Sequence, residues 1–380
     1  MQNFVYKNPT EIIFGKGTIA QIDARIPRDV PILLAYGGGS IKKNGVYEQV
    51  QSALAGREVV EFAGIEPNPS YETCLQAVAL AKSHQARFLL AVGGGSVIDA
   101  AKFIAAAAHY EGADPWDILR SGGRDVKTAI PLGSVLTLPA TGTESNGNSV
   151  ISRKATTEKL PFYAACVFPR FSVLDPETTY TLPANQVRNG IVDAFVHVME
   201  QYLTYPAAAP LQDRLAEAIL ATLIEVGPQT LAQPRDYESR ASFMWSATLA
   251  LNTLISCGVP QDWSTHMIGH ELTALYGLAH AETLAVVLPG VWAHQLAKKQ
   301  AKLCQYGQRV WNVATAEAAI SKTEDFFHSL DMPTRLSAYP INAEEAAAAV
   351  ERRFTERAVK FGEHEDIDGQ AAAAILRSRA

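Results

Sequence analysis

Two stretches in the first half of the chain are apolar almost without a break: residues 31–36 (PILLAY) and residues 86–92 (ARFLLAV). Apolar runs that lack polar alternation belong to parallel strands buried on both faces. Each run ends in the same four residues, Gly37, Gly38, Gly39, Ser40 in one case and Gly93, Gly94, Gly95, Ser96 in the other. Between them, residues 71–84 place Leu75, Val78 and Ala79 at i, i+3 and i+4, the spacing of a helix with one buried face. Strand, glycine turn and helix in repetition predict a doubly wound α/β domain.

Beyond Pro183 the pattern changes to long helical periods over residues 186–202, 211–224, 237–252, 263–276 and 297–313. The alanine-rich stretch 344–350 suits helix as well, alanine having the best intrinsic propensity. A boundary near Leu182 and Pro183 follows, with an α/β domain over 1–182 and a helical domain over 183–380. A chain of 380 residues with 48% hydrophobic content suits two cores better than one.

Composition narrows the partners. A net charge of −6 argues against a nucleic-acid or anionic-membrane surface, which needs clustered Lys and Arg. No uninterrupted apolar run has the roughly 18 residues of a membrane span. The start, Met1 to Lys7, shows no basic residues followed by an apolar stretch, so no signal peptide is expected. Cys74, Cys166, Cys257 and Cys304 are scattered, with no CxxC pair, which speaks against a disulfide framework or a thiolate zinc site. A reducing cytoplasm is the expected setting.

The glycine turns are the first candidates for chemistry. Three consecutive glycines let backbone N–H groups approach a phosphate, and a following helix N-terminus favours its charge. Gly93 to Ser96, with Asp99 and Lys102 just beyond, follows a strand and opens a helix, as a pyrophosphate site requires. The spacing differs from GxGxxG, and a plain strand–helix turn is the alternative. The segment from Thr137 through Thr141 to Asn146 gathers hydroxyl groups after an apolar run. Read alone, it is a polar loop.

The histidines are more telling. Asp193 and His197 lie at i and i+4 in a stretch otherwise apolar all round, so both project from one face of a buried helix. A buried carboxylate needs a partner or a metal; an internal Asp–His hydrogen bond is the simpler account. Three of the nine histidines then fall close together, His266 and His270 at i and i+4 and His280 on a following loop. Asp262 is placed to cap the helix that carries the first two. Imidazoles with one carboxylate suit zinc or ferrous iron.

The pattern Asp193-x-x-x-His197, His266-x-x-x-His270, His280 resembles the iron-containing (group III) alcohol dehydrogenases. So do the turn Gly93 to Ser96 with Asp99 and Lys102, the segment Thr137 to Glu144, the opening Asn8 to Gly17, and Leu174-Asp175-Pro176. Pro260 to Trp263 and Ala279 to Thr283 are most similar to the NADP-dependent butanol-dehydrogenase and broad-range aldehyde-reductase branch. Many members carry Gly directly after the last histidine, where this chain has Ala281.

The resemblance implies a dehydroquinate-synthase-like fold, a site in the cleft, and a homodimer. It implies hydride transfer between NADP(H) and an alcohol or aldehyde, with Fe²⁺ or Zn²⁺ held by Asp193, His197, His266 and His280. His270 would stand beside the substrate, either relaying a proton or only orienting the site. Lys159 and Thr178 would join the glycine turns, Thr137, Thr141 and Asn146 around the cofactor. NAD-using relatives carry Asp where this chain has Gly38; with no carboxylate there, Ser40 and Lys43 would receive the 2′-phosphate of NADP. Two rivals remain. A phosphorylated substrate would call for Lys or Arg flanking residues 266–280, where none occurs. A metal-dependent hydrolase would leave the glycine turns without a ligand.

Overall fold

The computed structural model describes residues 1–380. Eight strands form: β1 (Glu11–Phe14), β2 (Ile32–Tyr36), β3 (Val59–Phe62), β4 (Phe88–Gly94), β5 (Leu132–Leu138), β6 (Asn148–Arg153), β7 (Glu158–Tyr163) and β8 (Phe171–Leu174). Among and after them run α1 (Val46–Ala53), α2 (Tyr71–Ser83), α3 (Gly95–Ala107) and α4 (Asp117–Arg120), then α5 (Ala184–Tyr202), α6 (Pro210–Ala232) and α7 (Tyr237–Ala250). The chain ends with α8 (Ser264–Tyr276), α9 (His280–His294), α10 (Leu296–Tyr306), α11 (Ala316–Ser329), α12 (Ala343–Glu356) and α13 (Gly369–Ser378).

Contacts divide the chain into two compact units. One comprises Lys7–Pro183 with Pro234–Thr248; the other comprises Met1–Tyr6, Ala184–Gln233 and Leu249–Ala380. In the first, six parallel strands lie in the order β1-β8-β5-β4-β2-β3, and β6 and β7 pair as a separate antiparallel hairpin. Alternate residues of each central strand enter different cores. Leu33, Ala35, Leu89 and Ala91 join the side chains of α2 and α3, whereas Ile32, Leu34, Leu90 and Val92 join those of α1. Burial on both faces is why these strands read as continuous apolar runs. Most of α7 belongs to this unit: Met244 enters its core and Trp245 packs edge-on against Phe14.

The second unit is helical. α5 packs against α6 and α9, and α8 lies along α9. Residues 190–202 of α5 are all buried, as its apolar circumference requires. α6 is longer than its sequence pattern indicates, continuing to Ala232 through Pro228. It has the length and the mean hydropathy, 1.2, of a membrane span, but Asp213 and Glu217 on it pair with Lys302 and Arg309. The last of the long helical patterns ends early, at Tyr306, followed by one wide turn over Gly307–Trp311.

Candidate metal centre and nucleotide turns

Three helices bring the acid and the histidines together. Asp193 and His197 project from one face of α5, and His266 and His270 from α8. His280 is not on a loop: it is the first residue of α9, where the Ala279 N–H is held by Glu282 Oε2 (3.0 Å). From Asp193 Oδ1 it is 3.6 Å to His280 Nε2, 3.8 Å to His266 Nε2 and 3.6 Å to His197 Nδ1. One potential ligand atom from each of Asp193, His266 and His280 lies within 4.8 Å of the others.

These separations exceed hydrogen-bond length. They approach the spacing of atoms that share an ion, since two donors each ~2.1 Å from a tetrahedral metal stand roughly 3.4 Å apart. The donors also fit by type. His266 Nε2 is buried and makes no hydrogen bond, and it faces the Asp193 carboxylate. The His197 ring stacks on that of His266 at 4.6 Å. His270 lies to one side, its ring 6.3 Å from His266 and 5.4 Å from His280.

A further carboxylate, Glu200 of α5, orients the set. One of its oxygens receives His266 Nδ1, and the other receives the N–H groups of Thr265 (2.7 Å) and His266 (3.4 Å). One buried side chain thus caps α8 and holds the imidazole with Nε2 turned towards Asp193. Asp262 takes the neighbouring cap position, accepting the Ser264 N–H at 3.0 Å. Burial opposes a charge on His266, but the negative charges of Glu200 and of the Asp193 carboxylate facing Nε2 outweigh it and raise the imidazole to about 9. Glu200 was detectable in the sequence: it lies seven residues after Asp193 and three after His197, hence on their face of α5.

The nucleotide candidates lie in the other unit, at the ends of β2, β4 and β5, at the start of α3, on β7 and in the turn after β8. Gly38, Ser40 and Lys43 are exposed, and a Cβ added at Gly38 would meet nothing within 4 Å. The Tyr36–Lys43 stretch contains no acid, yet the fold brings Glu61 of β3 beside it. Glu61 accepts the hydroxyls of Tyr36 (2.7 Å) and Tyr47 (2.6 Å), and Lys42 Nζ stands 3.8 Å away over both rings. Burial works against the Glu61 charge, but the two hydroxyls and Lys42 hold the carboxyl below its usual range.

At the second turn β4 runs straight into α3, which begins at Gly95. The segment after β5 is no loose polar loop. Residues 142–147 are buried, and Lys102 Nζ reaches Thr143 Oγ1 (2.7 Å), the Asn146 carbonyl (2.8 Å) and the Asn148 carbonyl (2.8 Å). Asp99 accepts from Thr143 Oγ1 (2.6 Å) and the Val150 N–H (3.0 Å), and Thr178 donates to the Leu136 and Asp175 carbonyls. Asn146 donates to the Gly142 carbonyl (2.9 Å). Thr141 lies against Gly95, and Thr137 is buried at the end of β5. Lys159 Nζ bonds Asn68 Oδ1 (2.9 Å), and the Asn68 N–H bonds Ser96 Oγ (3.3 Å), so the β6–β7 hairpin is tied to the turn.

A parallel sheet with glycine turns at its strand ends, in a chain whose helical unit carries an Asp–His set, is the framework of a metal-dependent oxidoreductase. The profile for iron-containing alcohol dehydrogenase matches residues 9–176, and that for the C-terminal part of the Fe-containing alcohol dehydrogenase family matches residues 188–380. The chain belongs to the iron-containing alcohol dehydrogenase family. It is 55% identical to the NADPH-dependent aldehyde reductase YqhD of Escherichia coli, over 97% of each chain. It is 46% identical to NADP-dependent alcohol dehydrogenase 3 of Entamoeba histolytica, over 99% of this chain and 98% of that one. The crystal structure of Escherichia coli YqhD superposes with a TM-score of 0.98 at 53% identity, covering 100% of this chain and 99% of the other.

Proposed function

We propose that this enzyme reduces aldehydes with NADPH, and reversibly oxidises alcohols, at a single divalent iron or zinc held by Asp193, His197, His266 and His280. The observation that carries the reading is the convergence of Asp193, His266 and His280 within 4.8 Å. The metal supplies Lewis-acid stabilisation of negative charge on the substrate oxygen. Glu200 orients His266, and His270 relays the proton to or from the substrate oxygen. Backbone N–H groups of Gly94, Gly95 and Ser96 receive the pyrophosphate at the N-terminus of α3. Gly37, Gly38 and Gly39 leave room for the ribose, and Ser40 and Lys43 bind its 2′-phosphate. Thr137, Thr141 and Lys159 line the rest of the cofactor's path, while Asp99, Asn146 and Thr178 support that surface from within. The identity to two relatives named for NADPH or NADP supports the choice of nucleotide. We further take the protein to be a homodimer, on the family resemblance, working in a reducing cytoplasm, where its four free cysteines stay as thiols.

The test is removal and return of metal. Chelation should abolish aldehyde-dependent loss of NADPH absorbance at 340 nm, and Zn²⁺ or Fe²⁺ should restore it; full turnover in metal-free protein would defeat the proposal. Metal binding should also depend on pH with a definite sign. In the metal-free fold His266 titrates near 9, above its ordinary 6.5, so the metal must displace a proton below that pH. Zn²⁺ affinity should therefore climb by up to about tenfold per pH unit between 6.5 and 9. The His266 contribution to metal-free stability runs oppositely: it is complete below pH 6.5 and lost as pH rises through 9. Calorimetric titration and thermal melts across that range measure both.

A further inference from the structure

Trp263 holds a backbone conformation that its side chain disfavours. At φ 64° and ψ 0° it lies in the left-handed region, where a Cβ crowds the chain and glycine is the ordinary occupant. The chain on either side is pinned. The Asp262 N–H bonds the Glu200 carbonyl (2.8 Å), and the Asp262 carboxylate receives Lys299 Nζ (2.9 Å) and the Ser264 N–H (3.0 Å). On the far side Glu200 holds the Thr265 N–H, and the Trp263 carbonyl accepts the Met267 N–H (3.0 Å). The neighbours impose the turn, and a bulky residue sits strained within it.

Neither local preference nor core packing accounts for an indole at this position. The residue is half-exposed. Its ring neighbours are two imidazoles: it is edge-on to His266 at 5.4 Å and tilted against His197 at 6.3 Å. The indole N–H donates to Gln261 Oε1 (2.9 Å), which fixes the tilt of the ring. A large, rigid plate is thus held against two of the four proposed ligands with part of its surface open. Strain that persists beside a reactive set points to a task for the side chain.

We propose that Trp263 is a specificity-determining residue whose indole walls one side of the metal set and limits the bulk of the aldehyde that reaches it. The assignment rests on the function proposed above. A wall acts by steric exclusion and contributes little to hydride transfer itself, so its removal should alter substrate choice more than the rate with a small substrate. Glycine removes wall and strain together; phenylalanine shortens the wall and keeps the strain.

The experiment compares kcat and KM for a linear four-carbon aldehyde and an aryl aldehyde in wild type, Trp263→Gly and Trp263→Phe, with metal content measured in each. The aryl-to-linear ratio of kcat/KM should rise by at least about tenfold in Trp263→Gly, chiefly through KM, with the Phe variant between. Metal content should stay at the wild-type level. An unchanged ratio in metal-replete Trp263→Gly overturns the proposal, and so does loss of metal, which would make the indole a support for the ligands. A readout independent of turnover is Co²⁺ titration of chelated protein. Tryptophan emission should be quenched in the wild type and less so in Trp263→Phe; equal quenching would place the indole away from the metal and overturn the assignment. Wild-type protein that binds Co²⁺ with this quenching yet reduces no aldehyde with NADPH would defeat the proposed function and the substrate role with it, leaving only the wall.

Discussion

The two glycine turns carry the same four residues at the ends of adjacent parallel strands, yet the fold treats them differently. At residues 93–95 there is no room for a side chain. A Cβ would come within 2.5 Å of Val97 at Gly93, 2.9 Å of Leu138 at Gly94 and 2.5 Å of Thr141 at Gly95. At Gly38 a Cβ would meet nothing within 4 Å, and only Gly39, at φ 91°, needs glycine for its backbone. The inner turn is glycine because α3 starts at once and packs against the next loop. Gly38 has no such reason within the chain. Open space beside an exposed turn is room for a ligand; packing within the chain accounts for glycine at the inner turn and does not account for it at Gly38.

Three substitutions can break or sharpen that contrast. The largest effect belongs to Gly95→Ala, whose Cβ would collide with a β-branched side chain. Overpacking of this kind costs about 1–3 kcal/mol. It also displaces the turn by a fraction of an ångström, so kcat/KM with NADPH should fall ~10²-fold, with a lowered Tm. A variant with wild-type kinetics would show that the inner turn carries no nucleotide. Next is Gly38→Asp, which should fold as the wild type does and lose at least about tenfold in the NADPH-to-NADH ratio of kcat/KM, equivalent to ~1.4 kcal/mol. An unchanged ratio would take the 2′-phosphate away from this turn. The smallest effect is expected of Lys43→Ala. The lysine is exposed and screened by solvent, so a rise of about three- to tenfold in KM for NADPH, fading with added salt, is the expected result. The same rise with NADH would mean that Lys43 serves the nucleotide generally.

Much of the convergence of Asp193 with the histidines was legible because helical spacing survives burial. The pairs Asp193/His197 and His266/His270 each mark one helix face, and the apolar surroundings of the first pair exclude a surface role. Spacing cannot tell which member of the second pair faces Asp193. That depends on how α5 and α8 pack, and in the structure it is His266. The position of His280 at the start of α9 was hidden because Gly277 and Ala279 read as loop. The apparent looseness of residues 137–146 came from counting hydroxyl groups without the buried Lys102 that collects them. Glu61 was out of sight for a different reason. It is adjacent to Lys42 only through the pairing of β2 with β3, and strand pairing is a long-range fact that no local pattern contains.

Glu200 has a consequence for anyone who sets out to redesign the enzyme. The same carboxylate starts α8 and aims His266, so the two cannot be altered independently. In the site proposed here, an engineer exchanging the metal for a larger or softer ion would want to move that imidazole by a fraction of an ångström. Any such move drags on the first turn of α8, and with it on His270. Retuning should therefore begin at His280, which depends on a separate helix and leaves that shared anchor untouched.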